Sequence, residues 1–257
     1  MTHHTATFRF YAELNDFLPL EQRQRAFSYT FRGRPAIKDT IEAISVPHAE
    51  VDLILVDGTS VGFDHQLQGG ERVAVYPVFE TFDITSTTET RNHPLRETKF
   101  ILDVHLGKLA GLLRLLGFDA AYRNDYDDHE IIAFAREDHR IILTRDIGLL
   151  KHKVVTHGYW VRSTRPLDQA REVIERFHLA EQARPFRRCL KCNGLLTPVE
   201  KESIIDRVPP HVGEAYDDFL ICSECKQLYW KGSHFEHLQA KVLKLLEPAD
   251  SELHVAS

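Results

Sequence analysis

Residues 99–123 read KFILDVHLGKLAGLLRLLGFDAAYR, and the spacing of their apolar residues changes part-way along. KFILDV is a short apolar run of the kind a buried strand needs. From His105 the spacing lengthens: Leu106, Leu109, Leu112, Leu113 and Leu116 fall on one broad face of a helix, and Gly117 closes it. FDAAYR then returns to a strand.

The alternation continues downstream. DDHEIIAFAREDH (127–139) reads as a second helix with Asp127 or Asp128 near its start. RIILTRD (140–146) is another buried strand, GYWVRST (158–164) a fourth, and LDQAREVIERF (167–177) a closing helix. Strands that alternate with helices imply an α/β domain with a parallel sheet, here over residues 98–183.

Upstream, residues 1–82 have a different rhythm. TFRFYAEL alternates Phe8 and Phe10 and reaches Leu14; FSYTFRG alternates Phe27, Tyr29 and Phe31 before Gly33-Arg34-Pro35 breaks it. Ile37 to Ile44 is predicted as a helix, with Asp39 as a candidate cap. VDLILVDG is a strand that ends in an Asp57-Gly58 turn, and ERVAVYPVF is entered through Gly69-Gly70. Strand, strand, helix, strand, strand is the order of a small β-grasp domain. Residues 83–97, DITSTTETRNHPLRE, have the composition of a linker. The polar end at 248–257 is expected to be disordered.

All four cysteines lie in residues 184–247, as Cys189-Leu-Lys-Cys192 and Cys222-Ser-Glu-Cys225. Two C-x2-C pairs are the spacing of a tetrahedral, all-cysteine site of the structural zinc type. Such a site is closed, so it would hold the segment together and leave no position for a substrate. A segment with few apolar runs needs that kind of help. The Tyr229-Trp230-Lys231 stretch that follows either stacks on bases or packs the ribbon against the nuclease domain; that packing is the expectation for Trp230.

Three acids sit at the ends of predicted elements. Asp103 ends the first parallel strand, Asp146 ends the third, and Asp128 opens the helix before it. Ligands of open α/β sheets bind beyond the carboxyl ends of the strands. Clustered carboxylates there suit a hard cation such as Mg²⁺ or Mn²⁺. The competing reading makes Asp103 and Asp146 turn residues and Asp128 a helix cap.

FILDVHLGKLAGLLRLLGFDAAYRND, followed by DDHEIIAFAREDHRIILTRD, resembles the PIN-like ribonuclease family named for the C-terminal domain of the Mut-seven exonuclease. The likeness is carried by Asp103, Leu106, Gly107, Leu109, Ala110, Leu113, Arg114, Leu116, Gly117, Phe118 and Asp119. It is taken up again at Asp128 and at Leu143, Thr144, Arg145 and Asp146, and runs on to His237. The resemblance implies a PIN-like nuclease domain with a zinc ribbon, acting on RNA through Mg²⁺ or Mn²⁺ held by Asp103, Asp128 and Asp146. It also implies that Arg114 and Arg145 contact phosphate, with a salt bridge to the same acids as the other role for each. The pattern departs after Asp103, where Val104 stands in place of a basic or polar residue; if that side chain helps hold substrate, His105 has to substitute. PIN-like domains often pair, so a homodimer is a further expectation.

Residues 51–79 also resemble the ubiquitin-like sulfur carriers, such as the small subunit of molybdopterin synthase. Those end in a free Gly-Gly tail. Here the strand runs on through Glu80-Thr81-Phe82, so a scaffold that takes a protein partner is the better expectation than sulfur transfer.

Bulk composition narrows the class. A net charge of −6 and a pI near 6.2 give no global nucleic-acid signature, so any basic surface must be local. No apolar run approaches a membrane span, and MTHHTATFRFY lacks the layout of a signal peptide. A cytoplasmic ribonuclease is the leading expectation. A non-catalytic RNA-binding or adaptor protein using the ribbon and the β-grasp domain is the alternative.

Overall fold

The computed structural model describes residues 3–77 and 98–247. The predicted linker (83–97), the tail (248–257) and the last residues of the first domain lie outside them.

The N-terminal elements are β1 (His3–Phe10), β2 (Phe27–Arg32), α1 (Ile37–Ala43), β3 (Val51–Val56), β4 (Thr59–Ser60) and β5 (Arg72–Pro77). They form a five-stranded sheet in the order β2-β1-β5-β3-β4. β1 and β5 are parallel, and β1–β2, β3–β5 and β3–β4 are antiparallel. Alternation in the sequence becomes one buried face: Ala6, Phe8 and Phe10 from β1 meet Ile37 and Ile41 of α1, with Ile54, Leu67 and Val75. The β3–β4 turn is the predicted one. Asp57 and Gly58 have φ of 49° and 87°, the left-handed pair that a tight hairpin demands. One detail differs from the sequence reading. Ala36, not Asp39, is the N-cap of α1, and no side chain caps it. Asp39 sits in the first turn, where its charge still complements the helix dipole.

Next come β6 (Lys99–Leu102), α2 (Gly107–Leu115), β7 (Asp119–Ala121), α3 (Asp128–Glu137), β8 (Ile141–Thr144), α4 (Ile147–Leu150), β9 (Gly158–Trp160) and α5 (Pro166–Arg176). β6 pairs with β7 and β8 with β9, both parallel, so the predicted parallel α/β architecture with flanking helices holds. The last segment carries β10 (Leu196–Val199), α6 (Pro210–Ala215), β11 (Phe219–Cys222), β12 (Leu228–Trp230) and α7 (Ser233–Leu246). Its three strands form an antiparallel sheet in the order β10-β11-β12.

By contacts the chain makes two compact units, each built from two stretches of sequence. The first joins the N-terminal domain to Asp127–Trp160; the second joins Thr98–Tyr126 to Val161 and beyond. Within the first unit, the β-grasp domain grips β9 and the loop before it. The Trp160 amide donates to Glu50 Oε1 at 2.5 Å, His48 Nε2 lies 2.8 Å from the Val155 carbonyl, and Phe17 packs on Trp160 with ring centroids 5.2 Å apart. Burial lowers the His48 pKa, Lys38 adds to this, and Glu42 opposes it.

Within the second unit, Gly117 is the tightest point. Its φ is +93°, and a Cβ there would stand 2.1 Å from the Arg184 carbonyl oxygen. The chain entering the ribbon lies against this corner, with Arg184 and Phe186 amides donating to the Leu116 and Leu115 carbonyls at 2.9 Å each. Gly117→Ala therefore combines a left-handed backbone with a backbone clash. It is expected to lower stability by about 2 kcal/mol or more, read as a fall in the urea midpoint. A midpoint equal to that of the wild type would show that this corner is not fixed.

Candidate functional site

The four cysteine sulfurs lie within 4.8 Å of one another, and none is in a disulfide. Cys189 and Cys225 Sγ are 3.6 Å apart, and Cys192 and Cys222 Sγ are 3.4 Å apart. Four thiolates about 2.3 Å from a zinc ion make a tetrahedron with edges of about 3.8 Å, so the donor set fits a closed structural metal site. Among the described residues, this is the one group of three or more ligating side chains drawn so close.

The two halves of the cluster repeat one local design. In the first, the Cys189 amide donates to Gly194 O and the Asn193 amide donates to Cys189 O. In the second, the Cys222 amide donates to Gln227 O and the Lys226 amide to Cys222 O. Asn193 and Lys226, each one residue past a C-x2-C pair, have φ of 75° and 59°. The left-handed residue turns the chain back so that both thiols of a pair face inward. Gly194 cannot carry a side chain, because a Cβ would come 2.8 Å from Cys222 Sγ.

Burial raises the Cys189 thiol, but hydrogen bonding from Tyr229 and the knuckle amides outweighs it and holds the thiol down at about 7. Burial pushes Cys192 up to about 12, and the neighbouring thiols oppose the relief its backbone contacts give. Four close thiols ionise together only when a cation offsets their charge. The Tyr229 hydroxyl is 3.1 Å from Cys189 Sγ and accepts from the Leu190 amide at 3.1 Å. Trp230 packs beside Phe219 of the ribbon itself, with centroids 6.4 Å apart, so the contact seen is within the ribbon's own apolar cluster and not the predicted one with the nuclease domain.

Arg114 is only 4% exposed. Its guanidinium donates to the carbonyls of Ala120 (2.9 Å), Leu190 (3.1 Å), Lys191 (3.1 Å) and Tyr122 (3.4 Å). These bonds tie α2 and the strand after it to the first knuckle. Burial lowers the Arg114 pKa, and Cys192, Cys189 and Asp119 oppose the loss of charge. The phosphate contact predicted for Arg114 gives way to this: its donors face backbone carbonyls. Asn193 completes the clasp. Its amide nitrogen donates to Asp119 Oδ1 at 2.8 Å, its Oδ1 accepts from the Ala120 amide at 3.0 Å, and Arg188 pairs with Asp119 at 3.3 Å. The sequence reading missed Asn193. The cue was available, since the residue after a C-x2-C pair often takes the left-handed turn that Asn tolerates.

The predicted acids fall in both units. Asp103, in the second unit, caps the short turn Val104–Leu106; it is 5% exposed, and Oδ1 accepts from the His105 amide at 2.7 Å. In the first unit, Asp146 caps α4, with Oδ1 accepting from the Gly148 amide at 2.7 Å, and its side chain is exposed. Asp128 is the first residue of α3, and the cap belongs to Asp127. Asp127 and Glu130 exchange bonds of 2.8 and 3.0 Å in a capping box. That leaves the exposed Asp128 carboxylate with no hydrogen bond or ion pair among the described residues. Arg145 lies between β8 and Asp146, half-buried, with its carbonyl accepting from Trp160 Nε1 at 3.3 Å.

The described residues thus combine parallel strand pairs, acids beyond the ends of β6 and β8, and a four-thiol cluster that fits a structural metal. The chain belongs to the Mut7-C RNAse domain family, whose model matches residues 98–242, and residues 3–83 match the Mut7-C ubiquitin model. Curated proteins give no match to the chain.

Arg114→Met removes the clasp and keeps most of the apolar stem. It is expected to cost about 3 kcal/mol, seen as a lower melting temperature. A change near zero would mean that the knuckle is held elsewhere.

Proposed function

We propose that the chain is a metal-dependent ribonuclease in which Asp103, Asp128 and Asp146 hold Mg²⁺ or Mn²⁺. What carries the reading is the family match over residues 98–242, and the acids are the ones the sequence resemblance assigns. Carboxylate oxygens are the donors a hard divalent cation selects. The ion, when bound, supplies charge to offset the phosphate and acidifies a water for attack on phosphorus.

The protein's own residues have separable tasks. Asp128 is free for this role because Asp127 takes over the cap. Asp146 spends Oδ1 on the Gly148 amide, which fixes its rotamer and leaves the other oxygen for a ligand. Thr144 Oγ1 accepts from the Asp146 amide at 2.8 Å and sets the turn that aims it. Arg145 is the candidate phosphate contact. Zn²⁺ in the four-cysteine cluster is structural in this reading, since a closed tetrahedral set has no open position. The ubiquitin-like domain is the surface for a protein partner.

Purified protein with Mn²⁺ or Mg²⁺ is expected to cleave RNA, and Asp146→Asn to lose at least about a hundredfold in rate. Equal activity in both would assign the cleavage to another site or a contaminant. No cleavage by either on several RNAs would shift the reading to a non-catalytic RNA-binding or adaptor protein. Native mass measurement is expected to find one zinc per chain, lost in Cys192→Ser together with thermal stability of the ribbon. A chain that folds and melts normally without metal would overturn the structural zinc.

A further inference from the structure

Within the second unit, α2, α5 and α7 enclose an open groove of about 720 Å³. Ligand clefts commonly span about 300–1,000 Å³. Its floor is apolar, with Leu112, Leu167 and Leu238 from three different helices. Its rim is cationic, with Lys108, Arg165, Arg171, Lys241 and Lys244, and Asp168 is the acid among the lining residues. None of those five cations is in an ion pair among the described residues. Arg171 also donates to the Lys244 carbonyl at 3.3 Å, which holds α5 against the end of α7.

This concentration of positive charge is out of keeping with a chain of net charge −6. One residue of the groove runs against local stability as well. Gly111 lies in the middle of α2, where glycine costs about 1 kcal/mol relative to alanine. A Cβ there would meet nothing within 4 Å. Packing therefore does not require glycine at this point; leaving the groove open is the reason the structure offers.

We propose that this groove binds single-stranded RNA, with phosphates along the cationic rim and bases on the leucine floor. The choice of RNA as the polyanion rests on the ribonuclease reading, since every lining residue of the groove except Lys244 lies inside the residues matched by the RNAse domain. Binding itself does not depend on the carboxylates. A positively charged groove is what tracks the backbone of an unpaired strand, whose bases are free to leave the stack; here Arg165 and Arg171 offer guanidinium planes and the leucines apolar contact in place of aromatic rings.

The test is fluorescence anisotropy of a labelled uridine oligonucleotide with zinc-loaded full chain and no added Mg²⁺ or Mn²⁺. Arg165→Glu with Lys244→Glu is expected to weaken binding about tenfold and to reduce the salt slope by about 1.4, near 0.7 per phosphate contact. Gly111→Phe, which fills the groove without altering charge, is expected to weaken binding about tenfold with an unchanged circular dichroism spectrum. Arg25→Glu, an exposed cation of the N-terminal domain, should leave affinity unchanged. Wild-type affinity in the groove variants, or equal loss in Arg25→Glu, would overturn the site. Displacement by AMP as efficient as by the oligonucleotide would overturn the strand in favour of a nucleotide pocket. An acidic peptide that binds where RNA does not would overturn RNA as the ligand. Groove-dependent RNA binding by a chain that cleaves nothing keeps this inference and rejects the ribonuclease.

Discussion

Four thiols packed within 4.8 Å of one another constrain everything around them. Without a cation they repel as they ionise; with one they become the strongest crosslink in the segment. The four-thiol set fits a segment with little else to hold it, because among the described residues its buried apolar cluster is small: Ile204, Val208, Val212, Phe219 and Leu228. The N-terminal sheet has a far larger buried apolar core, from Ala6 to Val75. From the thiols the constraint passes outward. Tyr229 fixes Cys189, Arg114 fixes Leu190 and Lys191, and Asn193 clips Asp119 and Ala120. Order in α2 and β7 thus reaches back to the metal-type centre through named hydrogen bonds.

Charge is partitioned as carefully as apolar surface. The chain is acidic overall, yet cations gather along α2, α5 and α7. The acids have a different economy. Asp127 and Glu130 satisfy a helix terminus, which spares Asp128 that task, and Asp146 divides its two oxygens between a turn and solvent. A carboxylate kept apart from backbone donors is costly only if buried, and Asp128 is exposed.

Periodic features were legible in the sequence. Alternation at Phe8 and Phe10, the leucine face after Leu106 and the apolar run at 141–144 all became the elements expected of them, because burial selects for period. The C-x2-C pairs were equally legible, since metal geometry dictates their spacing. Individual side-chain roles were harder to read. Arg114 sits in a polar gap of the leucine helix and looks like a surface cation; its carbonyl partners at Leu190 and Lys191 come from a segment far along the chain. The choice between Asp127 and Asp128 as cap turned on one residue of helix register, which local pattern does not resolve. The groove was invisible for the same reason: its lining comes from helices scattered over 108–244.

The interleaving of the two compact units bears on how the protein is made. Residues of the β-grasp domain emerge from the ribosome first, but the strand that its Glu50 and Phe17 grip ends only at Trp160. The second unit waits longer, because α2 finds its clasp only when residues 188–193 appear, and the thiol set closes only at Cys225. Until then Leu109, Leu113 and the apolar strand at 99–102 have incomplete partners in a chain already half synthesised. Nascent chains in that interval are the ones a chaperone would need to shield, and metal supply in the cell would set when the interval ends.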